Sequence, residues 1–164
     1  MSRHDAPWGR SLILVSVLAT LVSALVSAVS LRAMPGSGIG VWLPGLLPVL
    51  VVLLAALWTV RGYLLTDDAV LVQRLLWRTR LPLRGLLAAE VAPDAMRGSI
   101  RTLGNGGLFS FSGRFRNRAL GSYRAWVTDT RRTVVLRFPE RTLVLSPARP
   151  ADFVREVSRH AVKR

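Results

Sequence analysis

The apolar positions of this 164-residue chain follow two different patterns, with the change near residue 62. Before it lie two unbroken apolar runs, Leu12 to Leu31 and Leu43 to Val60, neither holding an ionisable side chain. They are joined by Arg32-Ala33-Met34-Pro35-Gly36-Ser37-Gly38-Ile39-Gly40. At about 1.5 Å per residue the first run spans about 30 Å, the thickness of a bilayer's hydrocarbon core. In lipid every backbone N–H and C=O must bond within its own segment, so the runs predict a membrane α-helical hairpin with helices at about 11–32 and 42–61. Ser16, Thr20, Ala24 and Ala28 recur every four residues, a ridge of small side chains against which a neighbour packs closely, or through which the hairpin self-associates. Pro44 and Pro48 suit the first turns of a helix that starts near Leu43. Trp8, Trp42 and Trp58 sit near the ends, as interfacial aromatics do.

After residue 62 the period shortens to two. Tyr63 to Thr66, Ala69 to Leu76 and Trp77 to Leu83 read as strands, with Asp67-Asp68 as a turn and Pro82 confining its strand to an edge or a strand start. Leu86 to Val91 continues the strand pattern, although its propensities also suit a helix. Ala92-Pro93-Asp94 is a turn. Between Gly104 and Gly121 the glycines, Asn105 and Asn117 predict an ordered loop that tucks Phe109, Phe111 and Phe115 under the domain. Tyr123 to Asp129, Thr133 to Phe138 and Arg141 to Ser146 predict three strands joined by hairpins, with one buried and one wet face. Pro150 and Asp152 suit the start of a last helix, whose apolar face is Phe153, Val154, Val157 and Ala161.

Charge sets the orientation of this layout. The chain carries +14, and Arg3, Arg10, Arg32 and Arg61 against Asp5 account for +3 of it, leaving +11 for residues 63–164. Arg3, Arg10, Arg61, Arg74, Arg78 and Arg80 flank the terminal ends of the hairpin, whereas the turn holds Arg32 alone. The positive-inside rule therefore places both termini in the cytoplasm and the chain in the inner (plasma) membrane as a multi-pass protein. A secretory signal peptide is the competing reading of the first run. Its apolar core exceeds the usual length, and Ala28-Val29-Ser30 is a poor cleavage site with Arg32 close behind. The expected organisation is a transmembrane hairpin at 1–62 and a cytoplasmic domain at 63–164, linked by Arg61-Gly62 alone. The chain has no cysteine, which excludes disulfides, thiolate metal sites and cysteine nucleophiles.

The stretches Gly104-Asn105-Gly106-Gly107-Leu108-Phe109, Gly113-Arg114-Phe115-Arg116-Asn117, Leu120-Gly121-Ser122-Tyr123-Arg124-Ala125 and Leu145-Ser146-Pro147, set between two apolar helices and a last helix, resemble the bacterial pleckstrin-homology (PH) domain family. The resemblance covers roughly residues 63–158, and the glycine-rich centre is its most specific part. It implies a mainly-β domain, a bent antiparallel sheet of about seven strands capped by a C-terminal helix, in a membrane-anchored type with two N-terminal transmembrane helices. It implies no particular ligand, because PH folds host unrelated binding tasks.

Candidate chemistry is confined to anion contacts. Arg78-Thr79-Arg80, with Arg74 before it, is similar to the basic-x-basic pattern of lipid-binding PH domains; a solvated basic face is the bland alternative. Arg114, Arg116 and Arg118 add charge to a glycine-rich loop whose backbone N–H groups suit a phosphate. That loop lacks a P-loop's Gly-Lys-Ser/Thr ending. His4 and His160 have no partners in sequence that would make a metal or catalytic constellation, so neither an enzyme nor a cofactor is expected. Three functions remain: a membrane-held binding or scaffolding module that contacts membrane lipids, a membrane-tethered nucleic-acid binder driven by the +11 charge, and a peptide-binding adaptor that uses a sheet edge. The strands show no aromatic platform for bases, which disfavours nucleic acid.

Overall fold

The computed structural model describes residues 1–33 and 39–162, with side chains at 1–32 and 42–159. The turn predicted around residues 34–38 and the side chains of His160 and Ala161 lie outside the described residues. Two helices, α1 (Arg10–Ala33) and α2 (Ile39–Leu57), stand on a β-domain closed by α3 (Pro150–Val162).

The α1 segment Arg10–Arg32 is long and apolar enough to cross a membrane, while the apolar run Trp42–Leu57 of α2 is shorter than a full span. The contact face of α1 differs from the predicted ridge. Leu12, Ser16 and Ser27 are buried and Ala19, Ser23 and Ser30 half-buried, whereas Thr20, Ala24 and Ala28 are exposed. A helix turns 100° per residue, so a strict four-residue repeat drifts round the axis; the observed alternation of three and four holds one face. On α2, Gly45 is buried where a Cβ would lie 2.7 Å from the Leu31 side chain, so the helices meet closely here and a larger residue would push that side chain aside. The helix starts at Ile39, and Pro48 therefore lies in its interior rather than its first turn. The other faces of both helices, among them Leu14, Leu18, Leu25, Leu46 and Leu53, are exposed and apolar.

The β-domain holds ten described strands in two sheets, not one bent sheet of about seven. The first sheet has the order β1-β2-β3-β4, from Ser2–Asp5, Gly62–Leu65, Ala69–Gln73 and Arg78–Pro82. All its pairs are antiparallel, and Pro82 lies on the edge strand β4 as expected. Strand β1 has no counterpart in the sequence reading. It precedes α1 and pairs with the strand that follows α2, with Arg3 opposite Leu64 and Asp5 opposite Gly62. The second sheet has the order β5-β9-β10-β8-β7-β6, from Ala88–Val91, Ile100–Gly106, Phe111–Asn117, Gly121–Val127, Val134–Arg137 and Thr142–Leu145 in chain order.

Two connections depart from the sequence reading. The glycine-rich loop is a β-hairpin, β6 against β7, because its glycines permit a close strand approach instead of an irregular path. A Cβ on Gly113 would lie 2.1 Å from the Leu103 carbonyl oxygen, and one on Gly104 2.3 Å from that of Ser112. The link from β8 to β9 is not a hairpin. β9 pairs with β5 and β10, and β10 runs parallel to β8. Thr133 holds β9 there: the Ala92 N–H donates to the Thr133 carbonyl at 3.0 Å, the Thr133 hydroxyl donates to the Ala92 carbonyl, and the Ala95 N–H donates to the Thr133 hydroxyl at 3.1 Å.

Core packs on both faces of the second sheet, so β9 has no wet face: Val134, Val135 and Leu136 are all buried. One cluster, with Tyr63, Val70, Trp126, Leu136, Leu145 and Phe153, fills the space between the two sheets and α3. The other, with Met96, Phe115, Tyr123, Val135 and Val144, lies on the reverse face. The Tyr63 hydroxyl donates to the Trp126 carbonyl at 2.6 Å and accepts from the Ser146 N–H at 3.0 Å. Burial pushes the phenol pKa from 10.0 up to about 12, against the opposing hydrogen bonds from Ser146.

Candidate functional site

The turn between β3 and β4 lies beside the exit of α2. It is closed by the Arg74 N–H donating to the Trp77 carbonyl at 3.0 Å, which leaves Leu75 and Leu76 at the tip, 45% and 71% exposed. Trp77 packs edge-on to Trp58, the residue after α2, with ring centroids 5.5 Å apart. The Arg74 guanidinium faces both rings, at 5.0 and 5.7 Å, and donates to the Trp58 carbonyl at 2.9 Å and to the Thr79 hydroxyl at 3.3 Å. It thus satisfies a carbonyl at the negative end of α2. Arg74 is buried without a carboxylate in ion-pair contact among the described residues. Desolvation pulls its pKa down, and an arginine stays charged nonetheless.

Around this anchor lies a cleft of about 500 Å³ lined by Arg3, Arg61, Arg74 and Arg78 together with Gln73 and the turn residues Leu75 to Trp77. Among the described residues no acidic side chain lines it. The sheet order explains the convergence. The row Asp5, Gly62, Gln73, Arg78 crosses all four strands, and the Arg61 N–H donates to the Gln73 carbonyl at 2.8 Å. Arg3 comes from β1 and makes a loose pair with Asp5 at 3.7 Å between exposed groups, an interaction of little strength. Arg61 and Arg78 make no ion pair among the described residues.

The six arginines singled out from sequence do not form one site. Arg74 and Arg78 share the cleft. Arg80 does not line it and is bound to Asp68, whose pKa is held below the usual carboxylate range by the Thr66 hydroxyl and by Arg80. Arg114 and Arg116 project from the exposed face of β7, opposite Arg124 and Ser122 of β8, and Arg118 lies in the turn beyond Asn117. The glycine-rich segment offers no cradle of free N–H groups. The Leu108 N–H donates to Asn105 Oδ1 at 3.0 Å, the Phe109 N–H to the Ser16 hydroxyl at 2.9 Å and the Gly107 N–H to the Ser110 carbonyl at 3.2 Å.

Sequence reasoning missed Arg3 and Arg61 as neighbours of Arg78, using them for orientation alone. The signal was the alternation Ser-Arg-His-Asp before α1, which turns His4 inward against Phe153 and Arg3 outward. Two further clefts carry both signs of charge: Asp129 lies with Arg10, Arg131 and Arg132 in one, Asp152 and Glu156 with His4 and Arg155 in the other. Among the described residues no three His, Cys, Asp or Glu side chains group as metal ligands.

A family model described as the bacterial PH domain matches residues 61–161. The chain belongs to the bacterial PH-domain family. No curated protein and no solved structure matches it. Within this bacterial PH domain, Arg61 is the first matched residue, Arg74 follows in the β3–β4 turn and Arg78 at the start of β4, whereas Arg3 reaches the cleft from a strand ahead of the matched segment.

Proposed function

We propose that this bacterial PH domain is held on the cytoplasmic face of the inner membrane by a helix pair that crosses the bilayer twice, and that it serves there as a binding or scaffolding module. The observation that carries the reading is the β1–β2 pair: Asp5, five residues before α1, lies opposite Gly62, five residues after α2. A chain that leaves the sheet through α1 returns to the same sheet through α2. An α1 that crosses the bilayer therefore requires an α2 that crosses back. The nineteen residues of α2 reach about 28 Å, close to a hydrocarbon core. Exposed leucines and valines on the unpacked faces of both helices suit lipid and not water. Cleavage after the first run would remove β1 and its pairing, which argues against a signal peptide. The arginine excess at the sheet end of the helices supports the cytoplasmic placement.

The absence of native cysteine allows a direct test. Ser37→Cys and Ser158→Cys variants are labelled in intact spheroplasts with a membrane-impermeant maleimide, and membranes are washed with alkaline carbonate. Cysteine 37 should label from outside, cysteine 158 only after lysis, and the protein should stay in the membrane pellet. Release by carbonate, or labelling of residue 158 from outside, would overturn the reading.

A further inference from the structure

We infer that the arginine cleft at the foot of α2 binds the phosphate of an anionic glycerophospholipid drawn from the leaflet on which the domain sits. The inference rests on the membrane placement proposed above and adds to it a ligand and the residues that hold it. Arg3, Arg61 and Arg78 are the phosphate ligands; Arg74 is a positioning residue.

Three observations lead to this assignment. The first is electrostatic. Four arginines from β1, the α2–β2 link, the β3–β4 turn and the start of β4 line one cleft with no carboxylate in its walls among the described residues. Arg74 is buried against two indoles, and a charge in so poorly solvated a place acts on its surroundings far more strongly than it would in water. Its donors already bond Trp58 and Thr79, so its charge is oriented but not neutralised. An anion in the cleft supplies the missing counter-charge, and the guanidinium forks of Arg61 and Arg78, which have no ion-pair partner among the described residues, match phosphate oxygens two at a time.

The second observation is the rim. Leu75 and Leu76 form the tip of the turn, and Trp77 and Trp58 stand beside them, all exposed. A soluble phosphate would leave these apolar groups in water. A phospholipid covers them with its acyl chains while its phosphate meets the arginines. The third is depth. Trp58 directly follows α2, so the cleft opens where the helix leaves the hydrocarbon core, the level at which interfacial tryptophans and lipid phosphates lie. The two mixed-charge clefts described above lack this combination, since Asp129 lines one and Asp152 and Glu156 the other.

The test uses the full chain in detergent, titrated with phosphatidylglycerol or phosphatidylcholine of the same acyl chains and read by native mass spectrometry. The wild type should hold one phosphatidylglycerol in preference to phosphatidylcholine. Arg61→Gln/Arg78→Gln should weaken that binding about thirtyfold, since each arginine near an anionic surface contributes about fivefold. The charge-matched Arg114→Gln/Arg116→Gln should leave it unchanged. Leu75→Ser/Leu76→Ser should weaken lipid binding without altering the Tm. Glycerol 3-phosphate at the same concentration should fail to displace the lipid. Equal losses in the two arginine pairs would reduce the effect to a diffuse positive field and overturn the site, as would undiminished binding in Arg61→Gln/Arg78→Gln. Displacement by glycerol 3-phosphate would reassign the cleft to a soluble phosphate. Should the glutamine pair fail to fold, Arg61→Lys/Arg78→Lys keeps the charge but removes the forks, and binding equal to wild type would then overturn the assignment. Both arginine pairs should resist carbonate, so a lost site is distinguishable from a lost anchor.

Discussion

A covalent bridge between β1 and β2 tests the strand pair that ties the N-terminus to the return of α2. Arg3 and Leu64 are register partners, and their side chains share the face of the sheet opposite to buried Tyr63 and Leu65, within reach of an oxidant. Partners in an antiparallel pair have Cα atoms about 4.5 to 5.5 Å apart, inside the range that a disulfide spans. The chain has no other thiol to compete. The loop so closed, from residue 3 to residue 64, contains both helices. Chain entropy for about 60 residues gives close to 4 kcal/mol at 25 °C, and native-state strain brings the expected gain to about 2 to 4 kcal/mol. For a protein of this size that corresponds to a rise in Tm of about 5 to 15 °C between the reduced and oxidised forms. The Arg3→Cys/Leu64→Cys protein also receives a protease site within residues 34–38. After oxidation and cleavage the two halves should migrate together on a non-reducing gel and separate on reduction. Leu71 lies one strand further along the same row, so Arg3→Cys/Leu71→Cys places its thiols about 10 Å apart and should not bridge. If Arg3→Cys/Leu64→Cys fails to bridge, or if both pairs bridge equally, β1 is not a strand of this sheet and the argument for a returning α2 fails.

Two smaller perturbations address the core and the glycine hairpin. Tyr63→Phe leaves the buried Trp126 carbonyl and Ser146 N–H without their partner and should lower stability by about 1 to 3 kcal/mol in denaturant titrations. Because burial raises the Tyr63 pKa from 10.0 to about 12, the folded state holds its proton more tightly than the unfolded state. Stability should therefore be intact below pH 10 and fall between pH 10 and about 12 by up to about 1.4 kcal/mol per pH unit, a limb that Tyr63→Phe flattens. Gly113→Ala drives a Cβ to 2.1 Å from the Leu103 carbonyl oxygen at a φ of +144° and should cost at least about 2 kcal/mol, whereas Arg114→Gln beside it should stay within about 0.5 kcal/mol. A Gly113→Ala protein with an unchanged Tm would refute the close strand approach.

The elements that sequence made legible are those whose signal is local. The uncharged run of α1, the alternation in β2, β3, β8, β9 and β10, and the Pro150 start and Phe153/Val157 face of α3 all read directly from adjacent residues. What stayed hidden depends on partners distant in the chain. Strand β1 is Ser-Arg-His-Asp, with no apolar residue to announce it, and it is held by its pairing with β2 and by His4 against Phe153 and Glu156. Glycines at 104 and 113 signal loops when read singly; only their cross-strand pairing turns them into the closest approach of a hairpin. Alternation in β8 to β10 marks strands but carries no information about neighbours, so the parallel β8–β10 pair was not accessible. The same limit applies to the cleft. Arg74 and Arg78 are close in sequence and line the cleft together, Arg3 and Arg61 are brought in by sheet order, and Arg80, named through the pattern Arg78-Thr79-Arg80, is bound to Asp68 outside the cleft.

The domain is joined to its helices by more than the two-residue link. The Gly9 N–H donates to the Thr128 carbonyl at 2.8 Å, the Thr128 hydroxyl to the Pro7 carbonyl at 2.8 Å, and the Ser110 hydroxyl to the Trp58 carbonyl at 3.1 Å. Leu12 is buried at the foot of α1, and the Ser16 hydroxyl holds the tip of the β6–β7 hairpin. The start of α1 and the exit of α2 are thus bonded to loops of the second sheet, and a swinging tether is replaced by a fixed base. That rigidity changes the energetics of any contact with the leaflet. A domain on a flexible leash loses orientational freedom each time it docks, whereas one that is already oriented does not, and its clefts meet lipid at the effective concentration of the membrane itself. On the proposed membrane placement, contacts too weak to recruit a free domain would therefore be sufficient. If the arginine cleft takes the lipid phosphate as proposed, a few arginines around a buried Arg74 would discriminate between headgroups without the dense basic pocket that a soluble membrane-recruited domain requires.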